Sequence, residues 1–594
     1  MIEISFQPIG RKGHFPPGTM LLEAARRLGV GLSAACGGGG VCATCRVVVP
    51  PEGHAALSPL SATEEKHLTP DEQVAGVRLA CQARALADLL VLIPPESLTT
   101  SQRTQVEGRQ VAVTPEPFVT ARDVQLPPAS LDDLRADAAR LRDALGGGLR
   151  FDLGLLRAAA PQLRAWNWRA RAAMRDDEVV ALLPPDTPLL GLAVDLGTTK
   201  LAGYLLNLET GQTLAAAGAM NPQLAYGEDV LARIHYATQE DGGAERLRQA
   251  AVEGINALLE SLCAEAATPT EHVVEAVVVG NTAMHHLFLG LPTHSLGQSP
   301  YVPVTGDPLD VRGREVGLRL AGAAVVHLLP NIAGFVGADH VAALLAARMD
   351  EADEPTLLLD IGTNTEIALA ADGRLRSCSA ASGPAFEGAH IRFGMRAVPG
   401  AIERVRIVEG QVFWETVEDA PPVGICGSGI LDAVAQLRQA GVLTPRGTFA
   451  ATAPGQQGTE FVLVPAERSG LGRPITISRK DVGEIQLAKA AIATGWQVLL
   501  EEAGLRESGL ARVIVAGAFG SYIDITQAVA IGLLPALPGG RFEQAGNIAG
   551  SGARLALLSR HERARAARLA RQVEYIELTT HPAFQPRFTH ALKL

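Results

Sequence analysis

The chain has 594 residues, of which 47% are hydrophobic, 19% charged and only 4% aromatic, and its formal net charge is −11. That length exceeds one ordinary hydrophobic core and implies several domains. The acidic balance excludes a general nucleic-acid binder, whose affinity rests on Lys and Arg at phosphates.

Met1 to Phe6 alternates like a strand and lacks the charged start and apolar run of a signal peptide. No stretch reaches the roughly 18 uninterrupted apolar residues of a membrane-spanning helix. Neither a membrane nor a secreted setting is therefore expected. Of seven cysteines, four cluster near the N-terminus, while Cys263, Cys378 and Cys426 are scattered. This is no secreted disulfide framework, and a reducing cytoplasm is the expected compartment.

Residues 1–94 read as one small domain. Two short strands, 2–6 and about 11–15, lead to Thr19 as a helix cap, a helix from Met20 to Leu28, and then Cys36-Gly37-Gly38-Gly39-Gly40-Val41-Cys42-Ala43-Thr44-Cys45. Strands follow at Arg46–Val49 and Leu89–Ile93, with Cys81 between them in Leu79-Ala80-Cys81-Gln82. Four thiolates, two per iron, hold a [2Fe–2S] cluster. Glycines let backbone N–H groups approach its sulfides. Zinc sites more often use two paired C-x2-C knuckles, and only one such pair exists here. Cys36, Cys42, Cys45 and Cys81 are therefore read as cluster ligands. The spacing C-x5-C-x2-C resembles the β-grasp ferredoxins. It has one residue more than the plant type and looks more like the adrenodoxin branch.

Residues 95–130, rich in Pro, Thr, Ser, Gln and Arg, read as a linker long enough to let the first domain swing. Residues 131–187 read as a small α+β middle domain. It has helices at 131–145 and about 153–164, a strand at Val179–Leu183, and Trp166 and Trp168 packed within it or against a neighbour.

From 188 onward the pattern is buried strand followed by a glycine turn, and it occurs twice. Leu192-Ala193-Val194-Asp195-Leu196-Gly197-Thr198-Thr199-Lys200 and Leu357-Leu358-Leu359-Asp360-Ile361-Gly362-Thr363-Asn364 share the order strand, Asp, aliphatic, Gly, Thr. Val277–Asn281 and Val513–Gly520 form a second related pair. This is an internal duplication with lobes at about 188–352 and 353–594. Gly and Thr turns offer donors to phosphate oxygens. Asp195 and Asp360 at the strand ends can hold Mg²⁺ through water. Residues 188–594 resemble the ATPase superfamily of actin, sugar kinases and heat-shock chaperones, a duplicated ribonuclease H-like α/β fold.

That resemblance implies a phosphate role for Gly197, Thr198, Thr199, Lys200, Gly362, Thr363 and Asn364, and an adenosine role for Gly517 and Gly520. Gly383 is expected to open a helix toward phosphate, and Gln486 and Lys489, on a helix at 485–496, to flank the adenine. The segment 331–345 is expected to be a connecting helix whose small residues allow a close crossing. Asp339 on it is a candidate for positioning the attacking water, with a role facing the helix dipole as the alternative. His285 and His286 are adjacent on a helix, point different ways and are not expected to share a metal ion. Arg563 to Arg571 reads as one face of a C-terminal helix.

A ferredoxin domain, linker, middle domain and duplicated ATPase on one chain closely resemble the reductive activators of corrinoid proteins. The resemblance implies passage of one electron through the [2Fe–2S] cluster to a Co(II) corrinoid protein of a methyltransferase or O-demethylase system, restoring Co(I) with the help of ATP and Mg²⁺. It also implies an upstream electron donor, and leaves a homodimer open. Plant-type clusters lie near roughly −400 mV, and each ~59 mV of deficit is a tenfold loss for one electron, so a conformational contribution from ATP is required. The alternatives are a redox-sensing regulatory ATPase and a small-molecule kinase with an ancillary ferredoxin domain.

Overall fold

The computed structural model describes the chain apart from residues 8–10, 29, 31, 33, 35–37, 41–42, 44, 95–96, 98–107, 110, 112, 389, 451–455, 458, 521 and 538–540. Alternation at the N-terminus buries Ile2, Ile4 and Phe6 on one face. The strand Ile2–Gln7 pairs antiparallel with Arg11–Phe15 and parallel with Leu89–Leu92. Arg46–Val48 and Val77–Leu79 complete a five-stranded sheet. The helix runs Leu21–Arg27 and starts without a side-chain cap. Thr19, expected as that cap, instead donates its hydroxyl to the Pro16 carbonyl at 2.7 Å. Two short helices, Ala62–His67 and Pro70–Val74, each open on a capping box, Ser61 with Glu64 and Thr69 with Glu72. Buried Glu64 also takes Arg78 Nε at 2.8 Å and the Leu79 N–H at 3.0 Å, which anchors the segment leading to Cys81.

The strand Val119–Gln125 lies inside the segment expected as linker, and pairs with Arg169–Arg175 in a four-stranded sheet. Its side chains are mostly exposed, so it carries too little apolar alternation to be read from sequence. Helices Asp137–Leu145 and Leu153–Ala165 cover this sheet. The first starts six residues later than expected. Asp133 takes Arg135 and Arg140 in short ion pairs that hold the preceding segment in a turn, leaving Leu131 and Leu134 exposed. Trp166 and Trp168 pack against this unit's core.

The remainder forms two six-stranded sheets of the same design. In the first, Leu190–Leu196, Lys200–Asn207 and Thr213–Met220 make an antiparallel meander, and Val273–Val279 adds parallel to its first strand. In the second, Thr356–Ile361, Thr365–Ala371 and Arg374–Ala380 do the same, with Arg512–Ala516 in the parallel position. The duplication extends to register: Asp195 stands opposite Val279, and Asp360 opposite Ala516.

The halves do not divide at residue 353 in space. Helices Ile548–Leu558 and Arg560–Gln572 return to the first lobe and share its hydrophobic core. Arg563, expected on one face of a C-terminal helix, makes a buried ion pair with Glu275 of that lobe at 3.0 Å. Helix Ile548–Leu558 crosses helix Ala338–Ala347 at Gly552, where a Cβ would stand 2.0 Å from the Ala342 carbonyl oxygen. The small residues noted in sequence near 338–343 thus meet a second helix that sequence did not single out.

Candidate functional site

The two antiparallel hairpins turn at Gly197–Thr199 and Gly362–Asn364 and face each other across one cleft. Their hydroxyls come within reach: Thr199 Oγ1 and Thr363 Oγ1 are 3.2 Å apart. Asp195, Gly197, Thr198, Thr199 and Lys200 line the cleft from one lobe, and Asp360, Gly362, Thr363 and Asn364 from the other. Asp339 enters from the connecting helix, and Gly517 from the later glycine loop. Gly517 has φ +87°, and a Cβ there would lie 2.4 Å from the Ile361 carbonyl oxygen and 2.6 Å from Asp360 Oδ1. Only glycine fits that approach.

Two asparagine caps aim their amides at these residues. Asn281 caps helix Thr282–Leu289 and donates Nδ2 to Thr198 Oγ1 at 2.8 Å. Asn547 caps helix Ile548–Leu558 and donates Nδ2 to Asp195 Oδ2 at 2.9 Å. Gly337 precedes Asp339 and is pressed on the Gly280–Asn281 turn, where a Cβ would stand 2.5 Å from the Asn281 Cα. The Asp339 N–H donates to the Gly280 carbonyl at 3.2 Å, which fixes the start of this helix against the hairpin lobe.

Four carboxylates gather here: Asp195, Asp339, Asp360 and Glu366. Burial pushes Asp195 up to about 6 against the Asn547 hydrogen bond, and burial with the Asp195 charge pushes Asp360 up to about 7. Asp339 and Glu366 are raised further, first by burial and then by the neighbouring carboxylates. Like charges in a dry cleft cannot all ionise unless a cation joins them. Among the described residues no three His, Cys, Asp or Glu side chains converge as direct metal ligands. Mg²⁺, which takes few carboxylates and keeps its waters, is a cation that this set fits.

An anion fits as well, because an internal one already sits there. Glu387 accepts from Thr199 Oγ1 at 2.9 Å and from Thr363 Oγ1 at 2.5 Å, so one carboxylate bridges both hairpins. It belongs to the turn Pro384–Glu387, which opens at Gly383 with φ +71°. The expected helix at Gly383 is this single turn, and Gly383 is not among the lining residues. Phe386 of the turn stacks on Phe519 of the glycine loop, ring centroids 4.5 Å apart. Gly520 closes that loop, its carbonyl taken by Gln544 at 2.9 Å, and does not line the cleft.

Gln486 and Lys489, expected beside an adenine, face a different part of the molecule. Gln486 Nε2 donates to the Leu592 carbonyl at 2.7 Å, and Lys489 Nζ donates to the Lys593 carbonyl. Both are buried on helix Arg479–Glu502 under those residues and are absent from the cleft lining. The glycine loop supplies Phe519 and Tyr522 to the cleft instead.

Sequence reasoning also missed Arg233. It is fully buried on helix Val230–Gln239, yet bonds the Thr198 carbonyl at 2.5 Å and the Gly227 carbonyl at 2.8 Å. A lone Arg on an amphipathic helix carries no signal of this. His286 is structural, with Nδ1 donating to the Thr282 carbonyl and Nε2 accepting the Val304 N–H at 2.9 Å.

In the first domain, Cys45 and Cys81 are buried at the ends of paired strands, where Arg46 stands opposite Leu79 and the Ala80 N–H donates to the Cys45 carbonyl at 2.9 Å. Gln82 Nε2 lies 3.6 Å from Cys81 Sγ, a donor suited to a thiolate. Cys36 and Cys42 lie outside the described residues. The two cysteines that are described fit cluster ligation.

Family models match in sequence order: a 2Fe-2S iron-sulfur cluster binding domain over residues 6–86, the RACo linker region over 108–188, the RACo middle region over 190–352, and the C-terminal domain of RACo, the ASKHA domain, over 354–594. The corrinoid activation enzyme RamQ of Eubacterium limosum is 36% identical over 432 residues, covering 70% of this chain and 72% of that protein. The [Co(II) methylated amine-specific corrinoid protein] reductase of Methanosarcina barkeri is 28% identical over 380 residues, covering 58% and 66%. A solved structure of a reductive activator for corrinoid, iron-sulfur protein superposes with a TM-score of 0.72 at 33% identity, covering 100% of this chain and 98% of that one.

Proposed function

The chain belongs to the RACo family, the reductive activators of corrinoid proteins, and from this we propose that its two hairpins hold MgATP between them to set when the cluster domain delivers an electron. It is an ATP-dependent activator that passes one electron through a [2Fe–2S] cluster to the Co(II) of a corrinoid protein. The observation that carries the ATP reading is the pair of hydroxyls, Thr199 and Thr363, 3.2 Å apart on opposite lobes. A phosphate chain bound there touches both lobes at once, so nucleotide state becomes lobe geometry.

The cluster supplies one-electron transfer, and Mg²⁺ offsets phosphate charge; the chain does the rest. Cys36, Cys42, Cys45 and Cys81 would hold the cluster. Thr198, Thr199, Lys200, Thr363 and Asn364 would donate to the phosphates, and Asp195 and Asp360 would hold Mg²⁺ through water. Asp339 positions an attacking water and, once ionised, takes its proton, for which burial beside the other carboxylates raises its affinity. Phe519 and Tyr522 with Gly517 flank the nucleoside side of the cleft. We assign the partner to a methyltransferase or O-demethylase system, where Co(I) accepts the methyl group, with a separate low-potential electron donor. The few cysteines suit a reducing cytoplasm. Among the described residues no helix is long and apolar enough to cross a membrane.

The test is anaerobic mixing of the reduced, cluster-loaded protein with a Co(II) corrinoid protein, followed by visible spectroscopy. Co(I) absorbance is expected with MgATP and not without it. Equal Co(I) formation in both arms would remove ATP from the reaction.

A further inference from the structure

Three consecutive carbonyls of the first hairpin are held by Asn221, the cap of a neighbouring turn, and by Arg233 on the helix that follows it. Asn221 Nδ2 donates to the Gly197 carbonyl at 2.8 Å, Arg233 Nη2 to the Thr198 carbonyl at 2.5 Å, and the Asn221 N–H to the Thr199 carbonyl at 3.0 Å. Arg233 closes the other end of the turn through Gly227, whose carbonyl takes Nε at 2.8 Å. Gly227 has no slack, since a Cβ would stand 2.9 Å from the Ala232 Cβ and 3.0 Å from the Arg233 nitrogen. The turn Pro222–Tyr226 and the phosphate hairpin are therefore one mechanical body.

The last residue of that turn meets the cluster domain. Arg26, on helix Leu21–Arg27, places its guanidinium carbon 4.9 Å above the Tyr226 ring. Tyr226 packs on Tyr236 with ring centroids 5.1 Å apart, and the Tyr236 hydroxyl accepts Arg246 Nε at 2.8 Å. On its other side the same short helix is tied to the ligand segment: the Leu22 N–H donates to the Ala80 carbonyl at 2.9 Å, and the Leu21 N–H to the Ala83 carbonyl at 3.0 Å. Cys81 lies between those two carbonyls in the chain.

We propose that the Tyr226–Tyr236 pair is the dock of the cluster domain, and that opening of the first hairpin to admit nucleotide releases Arg26 from it. This rests on the ATP reading above. In the structure Thr199 and Thr363 are only 3.2 Å apart, with Glu387 on both. A phosphate that takes the place of the Glu387 carboxylate between the two hydroxyls moves the hairpin back, and the turn follows because its bonds run to the hairpin carbonyls. The contact of the Arg26 cation with the Tyr226 ring is reversible, so displacement of that ring lowers the docked fraction by what the contact contributes. The freed cluster domain then presents its ligand segment to the corrinoid partner.

Hydrogen–deuterium exchange on the full, cluster-loaded chain tests this, with and without Mg²⁺ and a non-hydrolysable ATP analogue. Peptides over 21–27 are expected to exchange faster with nucleotide, by about two- to thirtyfold, the span such a contact supports. Peptides over 357–366 should slow as phosphate covers the second hairpin. In Tyr226→Ala the 21–27 peptide should exchange at the faster rate in both conditions, with 357–366 still slowing. Arg26→Gln, on the other side of the contact, should reproduce this if Tyr226→Ala folds poorly. Unchanged or slower exchange at 21–27 while 357–366 responds would overturn the release and leave ATP binding intact. No response at either peptide would overturn the ATP reading, and the release with it.

Discussion

Glu387 stands where an activator needs an anion-binding gap. Its two oxygens take the hydroxyls that would otherwise meet phosphate, so ATP must compete with a tethered carboxylate. The apparent affinity is the intrinsic one reduced by the fraction of molecules in which the residue has swung away. We expect Glu387→Ala to tighten ATP binding by several-fold, roughly tenfold if the clasp holds about 1.4 kcal/mol, as read by calorimetry. Weaker binding would instead make Glu387 a direct contributor to the nucleotide site. The carboxylates below it give a pH signature. Asp360, lifted to about 7 by burial and then by Asp195, keeps its proton over a range in which the unfolded chain has lost it. The folded state then binds more protons than the unfolded one, and metal-free stability falls as pH rises from about 4 to about 7. Melting temperatures of the native protein and Asp360→Asn, compared without metal at about pH 5.5 and about pH 8, should show the native chain losing ground at the higher pH. MgATP should restore it there. A difference that stays flat with pH would contradict the burial argument.

Helices Ala338–Ala347 and Ile548–Leu558 cross in close backbone contact within the first lobe's core. Intrinsic propensity favours Gly→Ala within a helix by about 1 kcal/mol. At Gly552 sterics oppose it, because the added methyl would lie 2.0 Å from the Ala342 carbonyl oxygen and 2.4 Å from its carbon, backbone atoms that cannot rotate aside. Overpacking of this kind costs about 1–3 kcal/mol, so Gly552→Ala should destabilise the protein in urea unfolding, where a surface glycine would gain. A stabilised variant would mean that the helices part freely. The first crossing helix was legible because Ala338, Ala342 and Ala343 follow a Gly-rich entry. Its partner was not, although Gly550-Ser551-Gly552-Ala553 carries the same small-residue signature. The difference is that 338–347 directly precedes a recognisable hairpin and 548–558 precedes only a charged helix. The duplicated Asp-x-Gly-Thr turns were legible for a stronger reason. A strand, a carboxylate and a glycine turn at fixed spacing leave few other structures, and the equal registers of Asp195 and Asp360 express the repetition. Glu387, Arg233 and Asn547 were hidden because their roles depend on partners 24 to 352 residues away.

At the scale of the molecule, the cluster domain has its own core, separate from those of the ATPase lobes. The middle unit does not stand apart in the same way. Val119, Ala173 and Val180 join the first lobe's core. Arg175–Asp310, Arg312–Glu178 and Arg314–Asp152 tie the two at 2.6–2.8 Å. Such part-exposed pairs add little energy, but they fix orientation, so the middle unit moves with the first lobe. The segment between the cluster and middle units is thus shorter than composition suggested, since Val119–Gln125 is already sheet.

Helices Ile548–Leu558 and Arg560–Gln572 fill the core of a lobe whose first strand begins at Leu190. On the ribosome that lobe must wait for more than half the chain to be made. Domains generally complete in order of synthesis, so the cluster domain can form while the face of Leu190–Leu196 is still bare. Glu275 is buried with Arg563 as its ion-pair partner, so it too must wait for that residue to arrive. Both halves of the duplication are therefore sealed only as the chain ends: the first waits for helices Ile548–Leu558 and Arg560–Gln572, and the second for Val573–Tyr575 and Ala591.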